Sequence, residues 1–220
     1  MSTFTLHAEQ RFATTVLVVG DGLAAACAAL EAAASGQPTM LVASGPALAY
    51  ELTVAYQGAA PEITDPHLAA LQAGVAALGG VHGDWLDPDL GQITVDRQMT
   101  ERGVRVLLYA TPLRVLTRAG EAVGVLFGGK DGFFTIAASV VVDGTEGGVL
   151  FRNSGVAFRD PETIIAQRTL FFQDAGADLG GLPASVAGFD LALRRTWPHE
   201  ACLTLTASAP HDGDPVPAAL

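Results

Sequence analysis

Thr14-Thr15-Val16-Leu17-Val18-Val19-Gly20-Asp21-Gly22-Leu23-Ala24-Ala25-Ala26-Cys27-Ala28-Ala29-Leu30 decides how the chain is read. A β-branched apolar run meets Gly-Asp-Gly and then becomes an alanine-rich segment. The run predicts a fully buried strand and the alanines predict a helix. Together they form the strand–turn–helix opening of a dinucleotide-binding unit. Gly20 permits the tight turn, and Gly22, without a Cβ, lets a pyrophosphate approach the backbone. Ala25 stands where a third glycine often stands and still allows close helix–strand packing. The N–H groups of Leu23, Ala24 and Ala25 open the helix and, with the helix dipole, form an anion site. The spacing Gly-x-Gly-x-x-Ala also arises by chance in a chain with 25 glycines, so its context carries the argument.

The context continues in order. The helix is expected over Leu23–Ala34, with Gly36 free to take a left-handed cap. Thr39–Val42 reads as a second, parallel strand and completes a βαβ unit. A helix is expected between Pro61 and Gly80, with Asp65 as N-cap and Pro66 at the first helical position. His82–Asp89 reads as a turn-rich connection, and another helix is expected over Gln92–Glu101. From Val104 the period changes. Val104–Tyr109, Pro112–Thr117, Ala122–Phe127 and Phe133–Ile136 read as strands, the later ones joined by turns as an antiparallel meander. Ala138–Val142 is a further buried strand, followed by Asp143-Gly144-Thr145-Glu146-Gly147 and a short helix near Val149–Asn153. Strands are also expected at Phe4–Leu6, Thr169–Phe172 and Cys202–Thr206. The fold class is therefore α/β: a Rossmann-like parallel sheet with helices and an antiparallel β-meander.

Composition narrows the partners. The 220 residues are half hydrophobic and 16% charged, with a net charge of −11 and Lys130 as the only lysine. No basic stripe is available to track a phosphate backbone, so nucleic acid is excluded as a partner, and anionic membrane surfaces are disfavoured. No apolar run reaches the length of a membrane span, and Met1–Ala13 lacks a signal-peptide core. Two cysteines, Cys27 and Cys202, give no disulfide framework. A cytoplasmic protein is the expectation.

Three segments in family order, Gly20–Ala25, Gly103–Leu113 and Ala137–Gly147, carry a family likeness. Over roughly residues 14–160 the chain resembles FAD-dependent oxidoreductases of the glutathione-reductase-like superfamily. The branch it is most similar to also contains fumarate reductase flavoprotein subunits. The resemblance implies FAD as cofactor, with its pyrophosphate on Gly20, Asp21, Gly22, Leu23, Ala24 and Ala25. It also implies an adenine contact from the backbone of Pro112 or Leu113, and a closing turn at Gly144 and Thr145. Relatives place a carboxylate for the ribose hydroxyls at the end of strand two. Here that place, 23 residues after Gly20, is Ala43, with Ser44 beside it and Glu51 in the following loop. The missing bond would weaken binding by roughly one to two orders of magnitude. Relatives also run on through a substrate domain to a further glycine turn at the flavin, and no such turn stands out after Gly181.

The implied organisation is an FAD-binding domain over 1–160, a partial substrate-type region over 161–206 and a flexible tail over 207–220. The function implied is an FAD-binding oxidoreductase, or the FAD-binding portion of one, acting on an unidentified small molecule. The alternative is a non-catalytic or partner-dependent scaffold that has lost tight FAD binding, with a partner subunit or a second copy of the chain completing it. No catalytic residue is assigned. A nicotinamide-dependent short-chain reductase is disfavoured because Leu126 stands four residues before Lys130 where that chemistry needs a tyrosine. No Gly-x-Ser-x-Gly elbow is present. The scattered histidines give no metal spacing, and His82, Asp84 and Asp87 read as turn cappers. Arg152, Arg159 and Arg168 are either substrate-carboxylate binders or are solvated or paired with Asp160 and Glu162. Trp85 and Trp197 read as packing residues.

Overall fold

The computed structural model describes residues 7–59, 65–157, 163–173 and 183–210. The expected strand at Phe4–Leu6 lies outside the described residues. The chain divides into two compact units, Met1–Val81 with Leu86–Ala157, and His82–Trp85 with Phe158–Leu220.

The first unit opens with β1 (Glu9–Val19), α1 (Leu23–Ala34) and β2 (Thr39–Val42), in the βαβ order that the quoted stretch predicts. α1 turns Ala25, Ala26, Ala29 and Leu30 inward, and its small side chains bring the helix close to the sheet. Gly36 ends the turn after it at φ +77°. The short helix α2 (Tyr50–Thr53), which the sequence pattern does not announce, precedes α3 (Pro66–Ala77). The Asp65 carboxylate accepts the N–H groups of His67 and Leu68 at 2.7 and 3.3 Å, as an N-cap ahead of proline should. Two-residue strands β3 (Val81–His82) and β4 (Trp85–Leu86) follow, within the expected turn region. α4 (Pro88–Glu101) starts four residues earlier than Gln92, because Asp87-Pro88 repeats the cap-and-proline signal.

β5 (Arg105–Leu107) pairs parallel to β2 and leaves the meander to β6 (Thr111–Arg118), β7 (Glu121–Gly129) and β8 (Gly132–Asp143). The two strands expected at Phe133–Ile136 and Ala138–Val142 are one continuous strand. β8 pairs antiparallel with β7 in its first half and parallel with β1 along nearly its whole length. A single sheet results, in the order β5-β2-β1-β8-β7-β6. Gly124 makes the junction possible: at φ +152°, a Cβ on it would fall on the Ile136 carbonyl oxygen of β8. The helix α5 (Val149–Asn153) follows β8 where the sequence places it.

Alternation along the buried strands feeds both faces of the sheet. Val16, Val18, Leu41 and Ala43 join α1, Leu71, Val75, Val95 and Met99 on one side. Leu17, Val19, Met40 and Val42 join Phe127, Ile136 and Leu150 on the other. Each fully buried side chain of this size contributes roughly 1.5–3 kcal/mol relative to exposure.

The second unit is an antiparallel sheet of β9 (Thr163–Gln173), β10 (Ser185–Val186), β11 (Phe189–Arg195) and β12 (Glu200–Pro210), in the order β10-β11-β12-β9. β11 is absent from the sequence reading, because Asp190 and the adjacent Arg194 and Arg195 dilute its apolar pattern. β12 runs to Pro210 and so replaces the first four residues of the expected tail; 211–220 lie outside the described residues. Trp85 is buried and meets the edge of Phe171, and Trp197 stacks on His82. Among the described residues, no helix is long and apolar enough to cross a membrane.

Candidate functional site

The carboxyl ends of β1, β2 and β8 meet the start of α1. β2 lies on one side of β1 and β8 on the other, so chain connections diverge at this point. Open α/β sheets form their ligand crevices at such places. The turn Gly20–Gly22 occupies it.

The Gly20 N–H donates to the Val42 carbonyl at 2.9 Å, and the Gly144 N–H donates to the Val19 carbonyl at 2.8 Å. These bonds tie the turn to β2 and to the segment after β8. Gly20 sits at φ +148°, and a Cβ there would land on the Gly144 carbonyl oxygen. A Cβ on Gly144 would lie 2.8 Å from the Ala25 Cβ. Three small residues, chosen from two distant parts of the sequence, thus let three backbone segments touch. Gly22 is the N-cap of α1 and supplies no side-chain cap.

Asp21 faces β2. Its carboxylate accepts the Ser44 N–H at 2.9 Å, the Gly45 N–H at 2.7 Å and the Ser44 hydroxyl at 3.0 Å. It acts as a clamp between the turn and the loop after β2. The Asp21 carbonyl accepts the Tyr50 N–H at 3.0 Å, which seats α2 against the same turn. Glu51 then reaches the helix start: its Oε2 accepts the Leu23 N–H at 2.8 Å. Its Oε1 lies 2.6 Å from where a Cβ on Gly22 would be. Glu51, which the sequence places in the loop after strand two, thus has its carboxylate on the first N–H of α1. A four-residue helix gives too little periodicity to reveal this placement.

The other expected positions are distributed as follows. Leu23 and Ala24 are the first two residues of α1, and Ala24 is exposed. Ala43 is fully buried, with its N–H on the Leu107 carbonyl and its carbonyl receiving the Ala110 N–H at 3.1 Å. It therefore belongs to the core on its side-chain end. Pro112 stands two residues beyond that bond, at the start of β6. Leu113 follows it and lies against Gly128 of β7. β6 is the edge strand, separated from β1 by β7 and β8. In the β6–β7 ladder Pro112 faces Phe127.

Thr145 is held by the aspartate before it. The Asp143 carboxylate accepts the Thr145 N–H at 3.0 Å, its hydroxyl at 2.6 Å and the Phe151 N–H at 2.8 Å. The closing turn and α5 are thus fixed by one side chain that sequence reading passed over. Gly147 and Gly148, at φ +67° and +66°, complete the turn. Arg152 donates from Nε to the Gly147 carbonyl at 2.8 Å, a structural contact of the turn itself. Arg168 lies on β9 of the second unit and is exposed, while Arg159, Asp160 and Glu162 lie outside the described residues. Asp87 caps α4, as the turn-capper reading expects, whereas Asp84 pairs with Arg194 of β11.

Comparison with known proteins adds the family. Several solved structures match over most of this chain. A geranylgeranyl bacteriochlorophyll reductase-like protein from Thermoplasma acidophilum covers 89% of it at TM-score 0.63 and 15% identity. The myxobacterial chondrochloren halogenase CndH, an FAD-dependent halogenase, covers 89% at TM-score 0.59 and 13% identity. L-amino acid deaminase from Proteus vulgaris covers 93% at TM-score 0.59 and 17% identity. The chain spans 56%, 53% and 63% of their respective lengths. At these identities the likeness establishes the fold. A search of curated protein sequences returned no match. The family model for FAD dependent oxidoreductases matches residues 15–210, well past the segment 14–160 that carries the resemblance in the sequence. Its match spans both units and includes the Gly20–Gly144 turn pair, and this chain belongs to the FAD dependent oxidoreductase family.

Proposed function

We propose that this chain is the FAD-binding portion of an oxidoreductase, with the cofactor's pyrophosphate placed over Gly20–Gly22 at the start of α1. The observation that carries this reading is the contact among Gly20, Ala25 and Gly144 beside the first N–H of α1. A Cβ at Gly20 or Gly144 would strike the neighbouring backbone or Ala25 and push the three segments of the turn apart. A carboxylate already accepts from the Leu23 N–H, so the donor there suits an anion. The residues fit the pyrophosphate end of the cofactor, provided the Glu51 side chain yields its place.

When bound, the isoalloxazine supplies the hydride or electron transfer. The chain's own residues bind and orient. The α1 N–H groups hold negative charge, and the glycines permit close backbone approach. Asp21 keeps the turn against β2, and Asp143 keeps the closing turn against α5. Pro112 and Leu113 remain our proposed adenine contacts through their backbone. Residues 1–160 are proposed as the FAD-binding domain and 161–206 as part of a substrate-type region. The division of contacts near Ala157 supports that boundary. The substrate is a small molecule of unassigned class, and two unpaired cysteines support a cytoplasmic setting.

A second reading is favoured by Ala43 and Glu51. With no side-chain acceptor at the end of β2 and a carboxylate on the anion site, the chain is a scaffold of weakened affinity, completed by a partner subunit or a second copy. Titration of the purified chain with FAD, followed by flavin absorbance and fluorescence, tests the first reading. Saturable uptake with perturbation of the visible band is expected. Absence of uptake at high flavin concentration overturns it, and uptake only in a complex selects the second.

A further inference from the structure

We infer that Glu51 is an intramolecular competitor for the cofactor's pyrophosphate, so that flavin enters only when this carboxylate leaves the start of α1. The inference rests on the pyrophosphate reading above. Two features locate the competition. Glu51 Oε2 accepts from Leu23, the first residue of α1, at 2.8 Å. Its other oxygen sits 2.6 Å from the position that any Cβ on Gly22 would take. The missing side chain at Gly22, which would admit a phosphate, is what admits this carboxylate. Both anions need the same N–H and the same space, and like charges cannot share it.

The placement is built, not incidental. Tyr50 is tied to the Gly turn through the Asp21 carbonyl. The Thr53 hydroxyl donates to the Leu48 carbonyl at 2.8 Å. Leu52 is buried and fills the space over Gly91 of α4. Ala49, immediately before α2, is fully buried at φ +53°, a left-handed conformation that residues with a Cβ rarely adopt. Surrounding structure must hold such a residue in place. With the α2 backbone anchored, displacement falls to the Glu51 side chain, which is half-buried and has rotamers to exchange. Asp21 is not a competitor in this sense, because its carboxylate is engaged by Ser44 and Gly45.

The test compares the wild-type chain with Glu51→Ala and Glu51→Gln. FAD affinity is read by quenching of flavin fluorescence, ADP affinity by the shift in melting temperature, and stability by melting without ligand. The inference expects Glu51→Ala to bind FAD about ten- to hundredfold more tightly than wild type. ADP should raise its melting temperature by a larger increment. Glu51→Gln, which keeps the acceptor oxygen without the charge, should fall between the two. Both variants should melt a few degrees lower without ligand, since the Leu23 N–H loses a charged acceptor. Equal FAD affinity in all three proteins, or weaker affinity in the variants, overturns the inference and leaves the pyrophosphate reading standing. Failure of all three to take up FAD or ADP overturns the pyrophosphate reading itself. Should Glu51→Ala not fold, Glu51→Gln against wild type carries the same comparison.

Discussion

The carbonyl oxygen of Gly144 occupies the place where a Cβ on Gly20 would have to stand. Residues 124 positions apart are therefore in backbone contact, and neither partner has a flexible side chain to move aside. Gly20→Ala combines this clash with an unfavourable φ and should destabilise the chain by about 3 kcal/mol. Gly36, at φ +77° with open space around it, is the control: Gly36→Ala should cost about 1 kcal/mol. Urea unfolding midpoints at constant slope measure both. Equal losses would remove the packing argument at Gly20.

Asp21 serves as a clamp, so its removal should exceed the removal of its partner's hydroxyl. Asp21→Ala leaves the Ser44 and Gly45 N–H groups without this acceptor and is expected to cost about 1–2 kcal/mol. Ser44→Ala loses only a hydroxyl donor and should cost about 0.5 kcal/mol. The same unfolding measurement distinguishes them, and a reversed order would mean that the carboxylate is dispensable.

Asp143 carries the closing turn. Asp143→Asn keeps one acceptor oxygen but turns an amide towards N–H or O–H donors of Thr145 and Phe151. A loss of about 2 kcal/mol is expected. Amide exchange at Thr145 and Phe151 should quicken together in the variant; unchanged exchange at both would refute the shared anchor.

The thiols should be protected. Burial first, then the Asp65 and Glu51 carboxylates, push the Cys27 thiol up to about 11 from an ordinary 9. Burial also raises Cys202, against the lowering influence of Arg194. Because the folded value for Cys27 lies above the unfolded one, its contribution to stability is complete below pH 9 and is lost as pH rises through 11. At pH 8 a chromogenic disulfide reagent should label both cysteines slowly in the native chain and rapidly after denaturation. Asp65→Asn, which retains a capping side chain, should accelerate labelling of Cys27. Fast native labelling at Cys27 would contradict its half-buried, acid-flanked setting.

Much of the first unit was legible because its signals are local. Val16–Val19, the alanines of α1 and Gly36 specify strand, close-packed helix and stop within one stretch. α1, β2 and α5 have the bounds the sequence predicts. Asp65-Pro66 announces α3 by the same local chemistry. Asp87-Pro88 carries the identical signal for α4, but the expectation began at Gln92 and missed it. β8 reads as two strands because its first half has an antiparallel partner in β7 as well as the parallel partner β1 that runs on to Asp143, and alternation alone cannot reveal a strand with two partners. β11 is hidden in the sequence by Asp190, Arg194 and Arg195, which leave it too few apolar positions to show a strand pattern.

At the site, residue types at Gly20, Gly22, Ala25 and Gly144 are determined by the sequence itself, since small residues at a strand–helix turn have a local steric meaning. The family is legible too, from three motifs in order. What only the tertiary structure decided is where the carboxylates go. Asp21 turns to the loop after β2, Glu51 to the start of α1, and Asp143 to its own closing turn. Their sequence separations, 23, 28 and 2 residues from the groups they bind, follow no repeat. A carboxylate will accept from any N–H within reach, so its partner is fixed by the packing that brings one to it. That packing, through Leu52 over Gly91 and the left-handed turn at Ala49, is what sets Glu51 at the start of α1.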